Sequence, residues 1–237
     1  MSLMKELVKG KVKTVYAVDN VEHVMIKYHD KVTAGNGEKE DHPVGKGAIN
    51  CAISTELFKL IKGLSIRTHH ISTVGPTMLC QKVDIIPIEV VVRNVAAGSI
   101  VRQTTIEEGT VFETPLIEFY LKDDSKNDPL LTKRRLRLMG YDLRKEIEPL
   151  EQMAHDVNYK LKRIFDMIGL TLVDFKLEFG YDSRKNLLLA DELSPDGMRL
   201  WKKGTQESMD KDIFRKGNGD IVPVYQKILD DLLNISL

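Results

Sequence analysis

The sequence lacks an excess of charge of either sign. Its 237 residues include 35 Lys and Arg against 35 Asp and Glu, so the formal net charge is zero. A protein that holds nucleic acid mainly by neutralising phosphates needs a net basic surface, so we expect no nucleic-acid partner. A local basic pocket is compatible with the balance. The 42% of hydrophobic residues indicates a globular protein with a core large enough to fold without crosslinks.

Cysteine is scarce, and long apolar runs are missing. Cys51 and Cys80 have neither CxxC nor metal-ligand spacing, so we expect two reduced structural thiols in a cytoplasmic protein. No run approaches 18 apolar residues, which predicts no transmembrane helix and no membrane partner. The first 13 residues have neither an apolar core nor a small-residue cleavage site, which predicts no secretory signal.

Several catalytic patterns are absent as well. The six histidines include one adjacent pair, His69-His70, and none forms HExxH or a comparable ligand pattern. There is no GxSxG elbow, no Cys–His pattern and no GxxxxGK[ST] phosphate loop. The sequence therefore does not support a chemistry that needs a protein nucleophile.

The order of the predicted elements indicates an α+β fold with a ligand site between two lobes. Residues 33–47 are polar and glycine-rich, which predicts a mobile loop. Pro87 should break its strand or mark a sheet edge. Strands are predicted at 12–18, 21–28, 66–72, 78–93, 170–180 and 187–193, and helices at 48–62, 145–168 and 221–233.

The segment VDFKLEFG, residues 173–180, is the most informative part of the chain. Alternation in a strand places the apolar residues Val173, Phe175, Leu177 and Phe179 on one face and Asp174, Lys176 and Glu178 on the other. Taken alone, this pattern is typical of a strand with one solvent-exposed, charged face.

The next predicted strand supplies a partner for these charges. Leu187, Leu189 and Asp191 share one face there, which can place Asp191 opposite or diagonal to Glu178. Two carboxylates on adjacent strands repel each other unless a cation lies between them. Such a pair, completed by water and phosphate, is typical of Mg²⁺ in phosphoryl-transfer sites. Lys176 could contact a phosphate or neutralise the two acids.

Other candidate segments carry weaker signals. Lys11 and Lys13 in GKVK indicate either a phosphate contact or a solvated strand end. Arg93, followed by Gly98-Ser99, indicates an anion site or a surface arginine. The loop after Asp191 holds Asp196 and Arg199, in a position where binding residues concentrate. The basic run 132–137 indicates an exposed segment or, alternatively, an RNA-binding patch.

Five blocks together resemble the SAICAR synthetase family of purine biosynthesis over essentially the whole chain. In chain order they are GKVKTVY (10–16), EVVVRNVAAGS (89–99), VDFKLEFG (173–180), DELSPDGMRLW (191–201) and MDKDIFR (209–215). One departure is Asn36, where relatives carry Asp, and this leaves any role of that side chain in doubt. The resemblance implies a kinase-like antiparallel-sheet lobe at 1–83, an ATP-grasp-like α+β lobe at 84–237, and ATP between them.

The resemblance also implies an activity. ATP, L-aspartate and 5-amino-1-(5-phosphoribosyl)imidazole-4-carboxylate (CAIR) would give the succinocarboxamide SAICAR, ADP and phosphate through an acyl phosphate, in a cytoplasmic homodimer. Phosphoryl transfer relies on positioning and charge neutralisation, which agrees with the missing nucleophile motifs. A small-molecule or protein kinase is the alternative enzyme class, and an RNA-binding module is the alternative outside enzymes.

The resemblance assigns roles to individual residues in the same way. For ATP it implies Lys11, Val12, Lys13, Lys82, Val83 and Lys122, and for Mg²⁺ it implies Glu178 and Asp191. Lys176 would face the reacting carboxylate or phosphate, with Asp174 and Asp196 orienting an amine or accepting a proton. The remaining substrate contacts are Arg93, Ser99, Arg199, Asp128 and Arg215.

Overall fold

The computed structural model describes residues 5–34, 39–63 and 65–235, which form two antiparallel sheets with helices packed on them. The first sheet has five strands in the order β1-β2-β3-β7-β6. These strands are β1 (Glu6–Lys9), β2 (Lys13–Ala17), β3 (His23–Tyr28), β6 (His70–Val74) and β7 (Thr77–Gln81). Pairing of Lys13 with Tyr28 through Ala17 with Val24 confirms the predicted N-terminal hairpin.

The segment predicted as a mobile loop contains a small hairpin. Strands β4 (Val32–Ala34) and β5 (Lys39–Asp41) pair with each other, and helix α1 (Lys46–Ile61) follows. The prediction of a loop over all of 33–47 was therefore wrong at these two strands and at the start of the helix. Asn36 lies outside the described residues.

The second sheet holds the strand that carries VDFKLEFG. Its order is β10-β9-β8-β11-β12, and β13 also pairs with β11. The start of β11 pairs with β13, and its end pairs with β12. The strands are β8 (Asp84–Val95), β9 (Val111–Leu121), β10 (Leu130–Leu131), β11 (Leu170–Tyr181), β12 (Leu187–Ala190) and β13 (Met198–Lys202).

Two local predictions about these strands were wrong. Pro87 does not break β8, which runs through it between β9 and β11. The proline sits where the pairing with β11 shifts register, so its missing N–H removes no regular ladder bond. Val173 does not join Phe175 in the main core but packs with Val95, Ala97 and Trp201, because β11 also shifts register between Leu172 and Asp174.

Helices cover the sheets. Helix α4 (Glu148–Met167) buries Leu150, Val157, Leu161 and Phe165, as its periodicity predicted, and is preceded by a π-helical turn at Leu143–Ile147. Asn158 of α4 exchanges two amide hydrogen bonds, of 2.8 and 2.9 Å, with buried Asn94 of β8. Helix α6 (Ile221–Leu233) packs against α1. Short helices are α2 (Ser99–Gln103), α3 (Lys133–Leu138) and α5 (Asp212–Lys216).

One continuous apolar core joins both sheets with α1, α4 and α6. The first sheet ends at Gln81 and the second begins at Asp84, but the division into lobes at 83/84 stays a prediction. Cys51 and Cys80 are free and buried, and burial raises the pKa of the Cys51 thiol to about 12. Within the described ranges, no helix is long and apolar enough to cross a membrane.

Candidate active site

A cavity of about 1020 Å³ lies between the two sheets. One part of its wall is apolar and comes mostly from β1, β2 and β3, with Leu7, Val8, Val15, Val24 and Ile26. The rest is densely charged, with eight acidic and eight basic side chains. These are Glu89, Asp124, Asp128, Asp174, Glu178, Asp191, Glu192 and Asp196, and Lys11, Lys13, Lys82, Lys122, Lys176, Arg199, Lys211 and Arg215.

Glu178 is the buried acid at the centre of the charged wall. It lies on β11 opposite Glu89 of β8 and Ala190 of β12. Its Oε1 accepts a hydrogen bond of 2.6 Å from Lys176, and its Oε2 accepts one from Lys122. Lys176 also donates to Glu89 at 2.7 Å. The prediction that Lys176 neutralises neighbouring acids agrees with these contacts.

Asp191 reaches the same cavity by a different route from the one predicted. Leu189 pairs with Phe179, and both are in the core, so the shared face of Leu187 and Leu189 is the apolar one. Regular alternation would direct Asp191 there too. Instead Asp191 follows the last residue of β12 with a left-handed φ of 59°. Its Oδ1 accepts a 2.6 Å hydrogen bond from Lys13 and lines the cavity.

Lysines hold Asp191 in its ionised form. Lys13 bridges Asp191 and Glu192, at 2.6 and 2.8 Å. Burial opposes ionisation of Asp191, but the charges of Lys13 and Lys176 outweigh it and lower the pKa of this carboxyl. Burial likewise opposes the charge of Lys176, but Glu178 and Asp191 raise the pKa of its ammonium. The arrangement is a set of alternating charges in which Glu178 is buried and Asp191 and Lys176 are partly exposed to the cavity.

The donor chemistry of this wall fits a hard divalent cation. Glu178 and Asp191 offer carboxylate oxygens, and the charge of Lys176 acts on both. Mg²⁺ takes one or two protein carboxylates and completes its shell with phosphate oxygens and water. In the part of the chain that the structure describes, no three His, Cys, Asp or Glu side chains form a metal-binding group on their own. The two carboxylates therefore suit Mg²⁺ brought with a phosphate.

Arg93 lies behind the cavity wall rather than on it. Its side chain is buried, and all five of its N–H groups are used. They donate to Glu118 at 2.7 Å, Asp174 at 2.8 Å, Ser99 Oγ at 2.7 Å, Tyr120 at 3.2 Å and the carbonyl of Ala97 at 3.3 Å. Ser99 is likewise not among the residues that line the cavity.

Asp174 connects Arg93 to the cavity. Arg199 donates to both of its oxygens, at 3.0 and 2.8 Å, from the strand β13 that pairs with it. Arg199 also lies over Gly98, where a Cβ would come within 2.5 Å of the guanidinium and where φ is 68°. Glycine is therefore required at 98, and Asp174, Arg199 and Ser99 form one polar corner.

The other residues predicted to bind ATP, together with Asp128, also line the cavity. Val12, Lys82 and Val83 line it, beside the apolar wall. Lys11 pairs with Asp124 at 2.9 Å. Asp128 has a φ of 43°, and its Oδ1 accepts the N–H of Asp123 at 2.8 Å, which ties the segment after Lys122 into a turn.

Sequence reasoning missed several residues of the site. Two of them, Lys46 and Tyr225, donate hydrogen bonds to the predicted residue Asp196, that of Tyr225 at 3.0 Å. Lys46 is almost fully buried. His69 and Lys211 also line the cavity. Both lysines lie in segments that the sequence already singled out. Lys46 lies in the glycine-rich segment predicted as a loop, and Lys211 lies in the block MDKDIFR, where it was given no role. Nothing in the sequence brings Tyr225 or His69 to this site.

Similarity to known proteins is extensive. Residues 6–232 match the family model described as SAICAR synthetase. The chain is 45% identical to the phosphoribosylaminoimidazole-succinocarboxamide synthase of Trichormus variabilis, over 98% of this chain and 97% of that protein. The enzyme of that name from Methanocaldococcus jannaschii is 44% identical over 95% and 93%. A structure described as SAICAR synthetase (Type-2) in complex with ADP superimposes with a TM-score of 0.92 at 37% identity, over 97% and 98%.

Proposed function

The chain belongs to the SAICAR synthetase family, and we propose that its central cavity carries out the family's reaction. The protein is an ATP-dependent ligase of purine biosynthesis that joins L-aspartate to CAIR, giving SAICAR, ADP and phosphate. The observation that carries the assignment to this cavity is the pair Glu178 and Asp191, held by three lysines beside an apolar wall.

ATP occupies the part of the cavity between the apolar wall and these lysines. The adenine ring packs against the apolar side chains near Lys82 and Val83, and Val12 lines the same space. Lys11, Lys13 and Lys122 neutralise the polyphosphate, and Asp128 shapes the turn that carries Lys122 over it. Glu178 and Asp191 hold Mg²⁺, which supplies charge neutralisation at the phosphate oxygens when it is bound.

CAIR occupies the polar corner beside Asp174. Arg199 binds its phosphate from the cavity wall, and Arg93, whose five donors are all used, holds Ser99 and Asp174 in place behind that wall. Asp174 faces the imidazole amine. Lys176 lies between this corner and the two acids, so its ammonium meets the carboxylate that reacts.

The reaction proceeds in two balanced steps. An oxygen of the CAIR carboxylate attacks the γ-phosphorus of ATP, the bond to the bridging oxygen breaks, and ADP leaves. The aspartate amine then attacks the carbonyl carbon of the acyl phosphate. The C–N bond forms, the C–O bond breaks, phosphate leaves with the electron pair, and the amine releases a proton. Fixed cations stabilise the charge that develops in both steps, so no protein nucleophile is needed.

ADP release with each substrate omitted in turn tests this function. We expect ADP only when ATP, CAIR and L-aspartate are all present, with SAICAR formed in equal amount. ADP formed from ATP and CAIR at the full rate without aspartate would instead support a small-molecule kinase. ADP formed with neither CAIR nor aspartate would contradict both.

We also propose that the protein works in the cytoplasm as a homodimer with two lobes, at 1–83 and 84–237. The family resemblance and the two reduced, buried cysteines support this setting. Light scattering on the purified protein tests the oligomeric state, and a mass near the 26.9 kDa of one chain would contradict a dimer.

A further inference from the structure

A second cavity, of about 580 Å³, lies where the end of helix α1, residues 66–68 and the turn between β11 and β12 meet. Its volume falls within the range of small-molecule sites, about 300–1,000 Å³. None of the residues that we propose to act on ATP or CAIR lines this cavity. The ligase reaction therefore leaves the second cavity without a role.

Three cationic side chains line the second cavity, each from a different segment. Lys62 follows α1, Arg67 precedes β6, and Arg184 lies in the turn between β11 and β12. Among the described residues, none of the three forms an ion pair. Arg67 donates one hydrogen bond, of 2.9 Å, to Asn186, and the side chains of Lys62 and Arg184 have no such partner there. Like charges around one cavity repel each other, and a bound anion relieves that repulsion.

Lys62 is not needed to cap the end of its helix. Lys160 of α4 donates to the main-chain carbonyls of Ile61 and Lys62, at 2.6 and 3.3 Å, and so satisfies acceptors at the end of α1. The ammonium of Lys62 therefore stays available to the second cavity.

Asp182, one of two acids in the lining, does not neutralise these cations. It is buried, and its two oxygens accept four hydrogen bonds of 2.8 or 2.9 Å. The donors are the side chain of Gln81, the main-chain N–H of Arg184, and the main-chain and side-chain N–H groups of Asn186. This carboxylate is thus held by neutral donors and forms no ion pair within the described part of the chain.

The second acid, Glu22, is also engaged by a neutral partner. It accepts a hydrogen bond from the hydroxyl of Ser183 and forms no ion pair with the residues that the structure describes. The remaining titratable side chain in the described lining is His23. Leaving His23 aside, the lining carries three positive charges and two negative charges. Because the negative charges are held by neutral donors, the cations are free to bind an anion from solution.

A phosphomonoester of a small molecule fits this lining. A phosphomonoester group carries a charge of about −1.5 to −2 at pH 7 and three acceptor oxygens, which suit two arginine forks and an ammonium. The buried side chains of Ile66 and Leu188 provide apolar contacts. Thr68 adds a hydroxyl that has no hydrogen-bond partner among the described residues, and Asn20 adds an amide. These groups suit a sugar or ring attached to the phosphate.

The second cavity shares part of its wall with the cavity between the sheets. The N–H of Leu189 donates to the carbonyl of Arg67, and the N–H of His69 donates to the carbonyl of Leu189, both at 2.9 Å. His69 lines the cavity between the sheets together with Asp191, which follows Leu189 by two residues. Gln81 lines both cavities, and its N–H donates to the carbonyl of His69 at 2.7 Å. One hydrogen-bonded unit therefore carries groups of both cavities.

We propose that the second cavity binds a phosphomonoester of a small molecule and that its occupancy strengthens nucleotide binding in the cavity between the sheets. A ligand that holds Arg67 also holds the main chain that positions Asp191, so ordering one site lowers the cost of ordering the other. This inference goes beyond the proposed ligase function, because it concerns a site that takes no part in the reaction.

Calorimetric titration with ribose 5-phosphate tests the site. Mg²⁺, ADP and CAIR are held at saturating concentration, so that the cavity between the sheets is filled. We expect wild type to bind ribose 5-phosphate more tightly than inorganic phosphate and to show no binding of ribose. In K62Q and in R184Q the Kd for ribose 5-phosphate should rise at least about tenfold, the size of one lost charge-assisted hydrogen bond.

R134Q is the matched control for these variants. Arg134 is an exposed residue of α3 that lines neither cavity, so R134Q changes the net charge as R184Q does but should bind like wild type. The side chains of Lys62 and Arg184 are exposed as well, so all three variants should fold.

A second titration tests the coupling between the two cavities. With CAIR present, saturating ribose 5-phosphate should lower the Kd for ADP about fivefold in wild type and in R134Q, and should leave it unchanged in R184Q. No binding of ribose 5-phosphate to wild type, or equal binding to K62Q, R184Q and wild type, would overturn the site. Equal affinity for inorganic phosphate would contradict an ester as its ligand. Binding that leaves the Kd for ADP unchanged would overturn the coupling.

Discussion

The imidazole of His69 holds the main chain of Asp191, with its Nε2 lying 3.2 Å from the Asp191 carbonyl oxygen. The ring is buried and meets Phe58 edge-on at 5.5 Å. Burial lowers the pKa of His69 to about 4, so the ring is neutral at pH 7 and donates through Nε2. A left-handed φ costs a non-glycine residue about 1 kcal/mol, and this hydrogen bond helps to offset it.

We therefore expect His69 to position the Asp191 carboxylate without touching substrate. H69F keeps a ring but removes the donor, and it should raise the KM for ATP and the Mg²⁺ concentration needed for half-maximal rate by roughly tenfold. H69Q places an amide N–H near the Nε2 position, so its KM for ATP and its Mg²⁺ requirement should lie close to those of wild type. Equal kinetic defects in the two variants, or a lower Tm with unchanged KM and Mg²⁺ requirement, would contradict a positioning role.

The two central carboxylates should be essential for turnover but dispensable for folding. E178Q and D191N remove one negative charge each while keeping the side-chain shape, so ATP-dependent ADP release should fall at least about 100-fold. Their Tm should fall, because each change leaves the lysine partners of the carboxylate without its charge, but both variants should remain folded at the assay temperature. D231N, which breaks an exposed 2.8 Å pair with Lys227, is the control and should keep full activity. Wild-type rates in either variant at ordinary Mg²⁺ would refute the assigned role.

Elements with strong periodicity were predictable from sequence, and those set by distant pairing were not. The predicted helix at 221–233 matches α6, and the strands 170–180 and 187–193 correspond to β11 and β12. Strand β9 has Pro115 within it and weak alternation, so its place beside β8 depends on tertiary pairing. Strand β10, with two residues, and strand β13, with five, are too short to show a periodic pattern in the sequence.

The candidate site, too, was predictable where motif blocks carry it and not where distant pairing sets it. Most predicted site residues line one cavity, because the motif blocks lie on strands that meet there. The reason given for Asp191 was wrong, however, since alternation directs it away and only its left-handed φ brings it back. Arg93 was expected to bind a ligand, but it lies behind the cavity wall. Two of its N–H groups donate to Glu118 and Tyr120 of strand β9, which was not predicted.

Replacing Arg93 by lysine should affect the ribotide more than the nucleotide. A lysine ammonium has three donors and no planar fork, so it cannot serve Glu118, Asp174 and Ser99 together. In R93K we expect the KM for CAIR to rise by at least about tenfold and that for ATP by no more than about threefold. The free energy of unfolding should fall by about 2 kcal/mol, because buried Asp174 and Glu118 lose partners. Similar increases in both Michaelis constants would contradict a role confined to the ribotide corner.

Asp210 should make the stability of the protein depend on pH near neutrality. It is fully buried, and although its oxygens accept the N–H groups of Leu200 and Asp212, at 2.7 and 2.6 Å, burial raises its pKa to about 7. The folded state thus keeps this proton to a higher pH than the unfolded state, where the pKa of Asp is about 3.9. The resulting stabilisation is complete below the unfolded pKa and is lost as the pH rises through about 7.

Urea unfolding between pH 5 and pH 8 measures this contribution. The free energy of unfolding of wild type should fall by about 2 kcal/mol more than that of D210N over this range, because the variant cannot titrate there. D182N is the matched control. Hydrogen bonds from Asn186 lower the pKa of the Asp182 carboxyl, so this group titrates below the pH range of the experiment. The difference in free energy of unfolding between D182N and wild type should therefore be constant over the range. Parallel profiles for wild type and D210N would show that Asp210 is ionised throughout, with its two amide donors outweighing burial.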